Sequence, residues 1–352
     1  MNYISAVLGT AAILIASTAT LNWTLDPAGL FRKTSFGQQY AKALVASKNG
    51  LVFPDSLDER EIKLELAKRA ALYDCVVIGS SHVMQIGSAR KHRSFPACKN
   101  ILNLGVGGAG IEDHVILAYS VLSTGNPRIL ILGIDPWTFA FRKDERWKVR
   151  YAEQYPIALK AIDLKDSTSN KSTNHWMSLI SAQYTWRSMS LLLHNEVTPS
   201  IIAAETVDED VGGAQPVMLP DGSYVYSAEV MKNAKVDRVP AGGESYKTDG
   251  VINELRAIDL YRRLAIWVRT RQVKPVFLMT PYHPNVWSLD DSPNVKAMSS
   301  TEVLVRQMGG ELKIPVVGSF QPGVLGCTST EFRDFMHPLA SCVARFTANA
   351  TF

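Results

Sequence analysis

Two short segments of the sequence carry the residue types of a serine nucleophile and its base. Ser81 comes shortly after the apolar run 76–78, and Asp334 and His337 lie three residues apart beyond a later apolar run, 314–317. On one helical turn or tight loop, this spacing puts Asp334 and His337 on one face, where a carboxylate orients an imidazole. An imidazole held in this way takes the proton of a serine hydroxyl, so these residues predict nucleophilic acyl transfer.

Each segment also has a purely structural interpretation. Gly79-Ser80-Ser81 is typical of a helix N-cap without chemistry, and Asp and His side chains three residues apart are common on protein surfaces. The first segment does not match the Gly-x-Ser-x-Gly elbow of α/β-hydrolases, because Val83 stands where that motif has its second glycine.

Glycine-rich backbone and further polar or aromatic side chains follow the other apolar runs. The segment 105–110 reads Gly-Val-Gly-Gly-Ala-Gly, and a phosphate-binding loop is its alternative interpretation. No Lys-Ser or Lys-Thr pair follows it, which argues against nucleotide binding. The candidate substrate contacts near the run ends are His82, Asp135, Trp137, Tyr282 and His283. For Trp137 and His283, a packing role is the alternative.

Five apolar runs, separated by helical patterns, indicate the fold class. The runs are 76–78, 101–104, 129–132, 275–279 and 314–317. Their apolar residues are continuous rather than alternating, which is typical of parallel strands buried on both faces. Helical patterns at 112–123 and 251–273 lie between them, so we expect a three-layer, doubly wound α/β fold of the flavodoxin-like type. Ligands of such sheets bind beyond the carboxyl ends of the strands.

The predicted domain organisation has an anchor, a linker and an interrupted α/β domain. Residues 1–28 form a transmembrane signal-anchor, residues 29–72 form a linker with an amphipathic helix over 55–72, and residues 73–345 form the α/β domain. Residues 141–250 break the strand–helix rhythm and are too long for an ordinary loop. We expect them to form an inserted lid or side subdomain, with a disordered surface excursion as the alternative.

The N-terminal segment has the composition of a membrane span. From Ile4 to Leu25 there is no charged side chain, and about 20 such residues in a helix cross a bilayer core. We expect an uncleaved signal-anchor with Trp23 at the interface; a cleaved signal sequence and a buried helix are the alternatives. Arg32 and Lys33 follow the span directly and favour the cytoplasm on that side.

Composition excludes several classes of protein. The 352 residues are 46% hydrophobic and 20% charged, which argues against disorder. A net charge of +4, without a basic cluster, gives no reason to expect a nucleic-acid partner. Four cysteines without a C-x-x-C pair argue against a disulfide-dense scaffold and a structural zinc site. We expect no metal and no cofactor.

The four cysteines have two open interpretations. Cys75 and Cys98 each precede an apolar run, so they can bridge if the two strands are neighbours, and Cys327 and Cys342 bracket a short polar segment that a bridge can close. An exported compartment allows both disulfides. Four small buried thiols are the alternative.

Three blocks of the chain resemble the SGNH (GDSL-like) hydrolase superfamily. The resemblance covers roughly residues 73–345, with 141–250 unmatched. The blocks are Gly79-Ser80-Ser81-His82, Asn103-Leu104-Gly105-Val106-Gly107-Gly108 and Asp334-Phe335-Met336-His337.

The resemblance implies a role for each matched residue. Ser81 takes the position of the nucleophile, His337 that of the base and Asp334 that of its orienting carboxylate. The backbone N–H groups of Ser81 and Gly108 take the position of the oxyanion hole. The third block departs from the family, because Asp135 stands where the family carries an asparagine whose amide donates to the oxyanion. An ionised carboxylate cannot donate, so this departure predicts a weakened hole or one that relies on backbone groups.

Further features look like those of a particular subgroup. The apolar N-terminus, Asp26-Pro27 and the segment 280–284 resemble the membrane-anchored SGNH-like proteins of bacterial envelope polysaccharide systems, similar to alginate O-acetyltransferase proteins and the D-alanyl transfer protein of teichoic acid modification. The resemblance implies a single-pass protein of the cytoplasmic membrane with a periplasmic or extracytoplasmic catalytic domain. It also implies a glycan acceptor and a membrane-bound O-acyltransferase as partners.

The function expected from these observations is acyl chemistry at Ser81. The first hypothesis is transfer of an acyl group, namely O-acetyl, to an exported or envelope polysaccharide, or its hydrolysis from that polysaccharide, through an acyl-Ser81 intermediate. The alternatives are a small-ester esterase or lipase, and a non-catalytic SGNH-fold scaffold of a polysaccharide assembly complex.

Overall fold

A computed structural model gives the fold of the chain. It describes residues 3–27, 31, 36–53, 59–88, 90–140, 147, 151, 154–162, 175–193, 200–204, 211–234, 239–243, 253–350 and 352.

The described residues contain ten α-helices and eight strands. The helices are α1 (Tyr3–Leu25), α2 (Phe36–Ala46), α3 (Glu59–Ala67), α4 (Ile111–Thr124), α5 (Gln154–Ala161), α6 (Ala182–Leu193), α7 (Ala228–Asn233), α8 (Leu255–Thr270), α9 (Pro293–Leu312) and α10 (Ala340–Thr347). The strands are β1 (Leu51–Val52), β2 (Cys75–Ile78), β3 (Ile101–Asn103), β4 (Ile129–Ile134), β5 (Val217–Met218), β6 (Tyr224–Val225), β7 (Lys274–Met279) and β8 (Val316–Gly318).

Five of these strands form one parallel sheet in the spatial order β3-β2-β4-β7-β8. The prediction of a mixed α/β protein with a parallel sheet is therefore confirmed. When the five strands are numbered along the chain, the sheet has the order 2-1-3-4-5. The second strand, β3, lies on one side of β2, and all later strands lie on the other side, so the strand order reverses between β2 and β4. Ligand crevices of doubly wound sheets lie at the carboxyl end of such a reversal.

Helices and irregular chain cover the two faces of this sheet unequally. One face packs against α3, α4, α5, α8 and α9 and forms the larger hydrophobic cluster. The other face packs against the irregular segment 83–98 and α10. Successive strand residues alternate between the clusters, as Val76 and Val77 do. Both faces are therefore dry, which explains why the strands are continuously apolar.

The predicted elements match the observed ones, with shifted ends. All five predicted strands form within two residues of the expected bounds, and the helical pattern 112–123 forms α4. The pattern 55–72 yields α3 and a short 3₁₀-helix, Ala70–Leu72, while residues 54–58 lie outside the described chain. The pattern 251–273 yields α8, which ends where Gln272 adopts a positive φ of 62°.

The N-terminal helix α1 is long and apolar enough to cross a membrane, by length and composition. None of its most apolar 18-residue stretch is buried against the described chain, so it is not a core helix of this fold. Its last turn contacts other elements through Asn22 and Trp23, and α1 packs chiefly against the 3₁₀-helix His175–Ile180 and α6.

Several described parts of 141–250 pack on the α/β domain. Tyr151 and Tyr155 belong to the main core, and the Tyr151 hydroxyl donates to the backbone oxygen of Arg60 at 3.0 Å. Further along, β5 pairs with β1 and β6 in a small antiparallel sheet. Whether this segment works as a lid stays a prediction.

One turn of that segment docks on the end of β3. The backbone N–H of Asn103 donates to the backbone oxygen of Asp221 at 2.7 Å. Gly222, in this turn, has a φ of 81°, and a Cβ there would lie 2.3 Å from the oxygen of Asn103. The turn approaches the sheet this closely because residue 222 is glycine.

Both open cysteine pairings are disulfides in the structure. Cys75 is joined to Cys98, and Cys327 is joined to Cys342. The first loop contains Ser81, and the second contains Asp334 and His337. Each disulfide therefore closes a segment that carries candidate catalytic residues.

Candidate active site

Ser81, His337 and Asp334 form a hydrogen-bonded chain at the carboxyl edge of the sheet. The Oγ atom of Ser81 lies 2.8 Å from Nε2 of His337. Nδ1 of His337 lies 2.8 Å from each carboxylate oxygen of Asp334. The three side chains come from positions up to 256 residues apart in the chain. Their order and distances are those of a serine, base and carboxylate triad.

The local backbone after β2 presents the Ser81 hydroxyl. Ser80 caps the 3₁₀-helix Ser81–Val83 by accepting a hydrogen bond from the backbone N–H of His82. Val83 packs into space left by Gly133 on β4, where a Cβ would lie 2.4 Å from the Val83 side chain. The turn therefore lies directly above the sheet, at the point between β2 and β4 where the strand order reverses.

Asn103 ties the same turn to the end of β3. Its side-chain amide donates to the backbone oxygens of Val83 and Ile86, both at 2.8 Å. Its side-chain oxygen accepts from the backbone N–H of Gly105 at 2.9 Å. One fully buried side chain thus holds both the nucleophile turn and the start of the glycine-rich loop.

Asp334 and His337 lie in a loop with its own hydrogen bonds. The Oδ1 atom of Asp334 accepts from the backbone N–H groups of Met336 and His337, at 2.9 and 3.0 Å. The backbone N–H of Arg333 donates to the oxygen of His337 at 2.9 Å. These contacts form a tight turn that fixes the carboxylate under the imidazole, as the three-residue spacing predicts.

A second set of contacts joins this loop to α10. The carboxylate of Glu331 pairs with Arg345 on α10, with Nη2 and Oε1 at 2.8 Å. The same carboxylate accepts from the backbone N–H of Thr328 at 3.0 Å. The disulfide between Cys327 and Cys342 closes the loop a second time.

Burial and charge set the protonation of the base and its carboxylate. Burial lowers the pKa of His337, and the nearby His82 and Arg333 lower it further, against the opposing effect of Asp334. For Asp334, burial raises the pKa, but the hydrogen bond and charge of His337 outweigh it, so the pKa falls well below its usual range. At neutral pH this arrangement favours a neutral imidazole beside an ionised carboxylate, which is the state that a general base requires.

His82 and Asp135 form a second acid–imidazole pair beneath the triad. Nδ1 of His82 lies 2.7 Å from Oδ1 of Asp135, and the two side chains are 1% and 2% exposed. The His82 ring stands perpendicular to the His337 ring, with centroids 5.1 Å apart. The carboxylate of Asp135 therefore meets an imidazole.

Of the other sequence-predicted residues, Trp137 and Tyr282 lie around this pair, and His283 lies against the loop that carries His337. Trp137 and Tyr282 pack edge-on against the His82 ring, with centroids 5.4 and 5.2 Å away. Both side chains are buried, and the Trp137 indole donates to the backbone oxygen of Ala109 at 3.1 Å. His283 is buried too, and its Nδ1 accepts from the backbone N–H of Asn285 at 3.1 Å.

The glycine-rich segment is a bend between β3 and α4. Gly108 has a φ of 63°, which favours glycine. Gly110 precedes α4, and its backbone N–H donates to the Asp113 carboxylate at 3.0 Å. That carboxylate also pairs with the buried Arg60, with Nε and Oδ1 at 2.7 Å. Helix α4 is therefore fixed to α3 beside the candidate oxyanion loop.

Two contacts of the site come from residues that no motif marked. The guanidinium of Arg333 lies 5.1 Å from the ring centroid of Tyr226 and 3.9 Å from Asp334. The backbone N–H of Tyr224 donates to the oxygen of Met84 at 2.8 Å. Strand β6 contacts the nucleophile turn, and Tyr226, the residue that follows this strand, contacts the His337 loop. The position of Arg333 next to Asp334 in the sequence indicates that it belongs to the site. No feature of the sequence around β6 indicates that this strand lies there.

One group of side chains in the described chain has the spacing of metal ligands. It consists of Asp74, Cys75 and Cys98. Both sulfurs belong to a disulfide and are not thiolate ligands in this form.

No protein-family model matches the sequence of this chain, and no curated protein matches it either.

Proposed function

We propose that this protein transfers or hydrolyses acyl groups through an acyl-Ser81 intermediate. The observation that carries the proposal is the continuous chain from Ser81 Oγ through the His337 ring to Asp334, with each contact at 2.8 Å. A serine capping a helix needs no base, and a surface Asp–His pair needs no serine. The joint geometry therefore favours catalysis over the structural interpretation of either segment.

The first half-reaction loads the serine. His337 Nε2 takes the hydroxyl proton of Ser81 as Oγ attacks the carbonyl carbon of an acyl donor. The tetrahedral intermediate collapses, the bond to the leaving oxygen breaks, and His337 returns the proton to that oxygen. The products are an acyl-Ser81 ester and a free alcohol. Asp334 keeps the imidazole oriented and stabilises its protonated form during both steps.

The second half-reaction unloads the serine. A sugar hydroxyl or a water gives its proton to His337 and attacks the ester carbonyl. The bond to Ser81 Oγ then breaks, and His337 protonates that oxygen. A sugar acceptor makes the reaction a transfer, and water makes it a hydrolysis. The same residues serve both outcomes.

Backbone groups are the proposed oxyanion donors. Within the described chain, the backbone N–H groups of Ser81 and Gly108 donate no hydrogen bond, so both are available to a developing oxyanion. The contact of Asp135 with His82 supports a hole that does not use the side chain at position 135. Loss of a side-chain donor lowers the rate by about 10²–10³-fold in other serine enzymes, so we expect modest turnover of simple esters.

The proposal extends to an exported enzyme acting on an envelope or exported polysaccharide. Two disulfides support an oxidising compartment, and therefore an α/β domain outside the cytoplasm, and α1 supports attachment to a membrane. Support for a glycan acceptor and for a membrane-bound O-acyltransferase partner comes from the resemblance of the three sequence blocks to SGNH-like envelope proteins.

The decisive experiment measures acylation of Ser81 in the purified full-length protein. The protein is mixed with p-nitrophenyl acetate, p-nitrophenol release is followed, and the quenched protein is examined by peptide mass spectrometry. We expect an acetyl group on the peptide that contains Ser81, and loss of both release and acetylation in Ser81→Ala and His337→Ala. Ser123→Ala and His92→Ala are matched controls at exposed positions outside the triad.

The same experiment separates the alternatives. Release that persists in Ser81→Ala would contradict the proposal. Release by the wild type that is not increased by added glycan, with no acetylated glycan, favours the small-ester esterase. A well-folded wild type that neither releases p-nitrophenol nor reacts with a fluorophosphonate at Ser81 favours the non-catalytic scaffold.

A further inference from the structure

The surface next to the C-terminal end of α1 is unusually apolar. Eight large apolar side chains are exposed there, with Trp186 73% exposed. We call this surface the apolar belt; its members are Trp23, Trp176, Met177, Ile180, Trp186, Met189, Leu192 and Leu193. Between residues 176 and 193, Arg187 is the only charged residue. Exposed apolar surface of this kind marks an interaction site.

The belt is joined to α1 by buried polar contacts. The side-chain amide of Asn22 donates to the backbone oxygen of Leu179 at 2.7 Å and to Thr185 at 2.9 Å. The hydroxyl of Ser188 donates to the Asn22 side-chain oxygen at 2.8 Å. The Tyr184 hydroxyl donates to Asp26, just beyond the helix, at 2.6 Å. These contacts hold α6 against the last turns of α1.

The position of these contacts along α1 sets the depth of the belt. A helix of 23 residues is about 35 Å long at 1.5 Å per residue, slightly longer than a hydrocarbon core of about 30 Å. Asn22 and Trp23 therefore lie where a spanning α1 leaves the hydrocarbon. The Trp23 ring stacks on the Trp176 ring with centroids 5.8 Å apart and planes 8° apart. Tryptophan is enriched at this interfacial depth.

The two faces of α6 differ as expected for a helix lying at an interface. Tyr184 and Ser188, one turn apart, face α1 and are buried. Trp186, Met189 and Leu193 lie on the opposite side and are exposed. A helix with one apolar face beside a membrane span inserts that face among the lipid headgroups and upper acyl chains.

We infer that the apolar belt is a second membrane-contact surface, which lies in the lipid interface beside α1. The occupant is the bilayer itself, because the belt is attached through Asn22 and Trp23 to the end of α1 that leaves the hydrocarbon, and it carries no acidic residue. The N-terminal part of the protein is thereby held at the membrane by a helix that lies in the interface as well as by α1 itself. This inference goes beyond the proposed acyl chemistry and does not depend on it.

The test uses the full-length protein in phosphatidylcholine vesicles and its seven tryptophans. Brominated phosphatidylcholines carry the quencher either near the headgroup or near the bilayer centre. We expect stronger tryptophan quenching by headgroup-proximal bromine. Trp176→Phe and Trp186→Phe should each remove part of that quenching, whereas Trp267→Phe, at a buried position on α8, should not.

A second variant keeps both belt tryptophans. The double variant Met189→Gln with Leu193→Gln changes only exposed side chains, so the fold is retained. It should reduce the quenching of Trp176 and Trp186 by headgroup-proximal bromine. If only Trp23→Phe lowers the quenching, α1 is inserted but the belt does not touch lipid, and the inference is overturned. Absence of quenching together with a cross-linked dimer through α6 assigns the belt to a second copy and overturns it too. Turnover of p-nitrophenyl acetate is measured in parallel, because failure of the acyl chemistry is a separate result.

Discussion

His82 directly follows the candidate nucleophile in sequence, yet its side chain points to Asp135, with 2.7 Å between Nδ1 and Oδ1. The pair is almost fully buried and lies 5.1 Å, ring to ring, from His337. The candidate site thus contains, beside His337 and Asp334, a second imidazole with its own carboxylate.

The first prediction concerns the energetic coupling of this pair. His82→Ala should lower the free energy of unfolding by about 3–5 kcal/mol, because it leaves the buried Asp135 carboxylate without its partner. The double variant with Asp135→Ala should cost less than the sum of the two single variants. Urea unfolding followed by circular dichroism measures all three. Strict additivity would show that the two side chains are not coupled.

The same variant has a catalytic readout that packing alone does not move. His82 is one of the groups that lower the pKa of His337. In His82→Ala, the acid limb of kcat/KM for p-nitrophenyl acetate should therefore shift to higher pH. An acid limb that stays in place would contradict the electrostatic link between the two rings.

The second prediction concerns the pH profile of the wild type and Asp334→Asn. Since burial lowers the pKa of His337, the acid limb of kcat/KM should lie below the ordinary imidazole value of about 6.5. Asp334 raises that pKa, so Asp334→Asn should shift the limb lower still. It should also reduce kcat at neutral pH by roughly 10⁴-fold, as loss of the orienting carboxylate does in such triads. A limb that moves to higher pH in Asp334→Asn would sink this assignment.

The third prediction concerns the disulfide around the His337 loop. Cys327→Ser with Cys342→Ser opens a loop of sequence separation 15. The chain-entropy relation predicts a loss of about 3 kcal/mol in the free energy of unfolding. Activity should fall as well, even well below the melting temperature, because Asp334 and His337 lie inside the loop. The measurements are Tm and turnover without reductant. An unchanged Tm would mean that the Glu331–Arg345 contacts close the loop unaided.

The fourth prediction concerns Asn103. Asn103→Asp removes two amide donors, and each buried backbone oxygen left without its donor costs about 1–3 kcal/mol. We also expect lower kcat, since the turn that positions Ser81 loses its attachment to β3. Asn100→Asp is the matched control just before the opposite end of the same strand, where the side chain is half-buried and its amide donates to the backbone oxygen of Leu72. Equal losses of stability and kcat in both variants would count against a specific role for Asn103.

Local sequence determined the strands and the chemistry-bearing positions. Runs such as 76–78 and 129–132 are apolar without interruption, and such runs have few alternatives to a buried parallel strand. The spacing of Asp334 and His337 likewise predicts their contact, because a turn of three residues brings the two side chains together whatever surrounds them. The uncharged, largely apolar sequence of residues 4–25 also predicts the helix α1 without reference to the rest of the chain.

Tertiary structure decided which distant residues meet. The contact between Ser81 and His337 spans 256 positions and depends on the sheet order that puts both loops at one edge. The contact of Asp135 with His82 has no sequence signal, because two residues 53 positions apart become neighbours only when β4 lies beside β2. The docking of α6 on Asn22 is of the same kind. Side-chain pairs between separate elements are set by packing of the whole domain, whereas strands and turns are set by the residues within them.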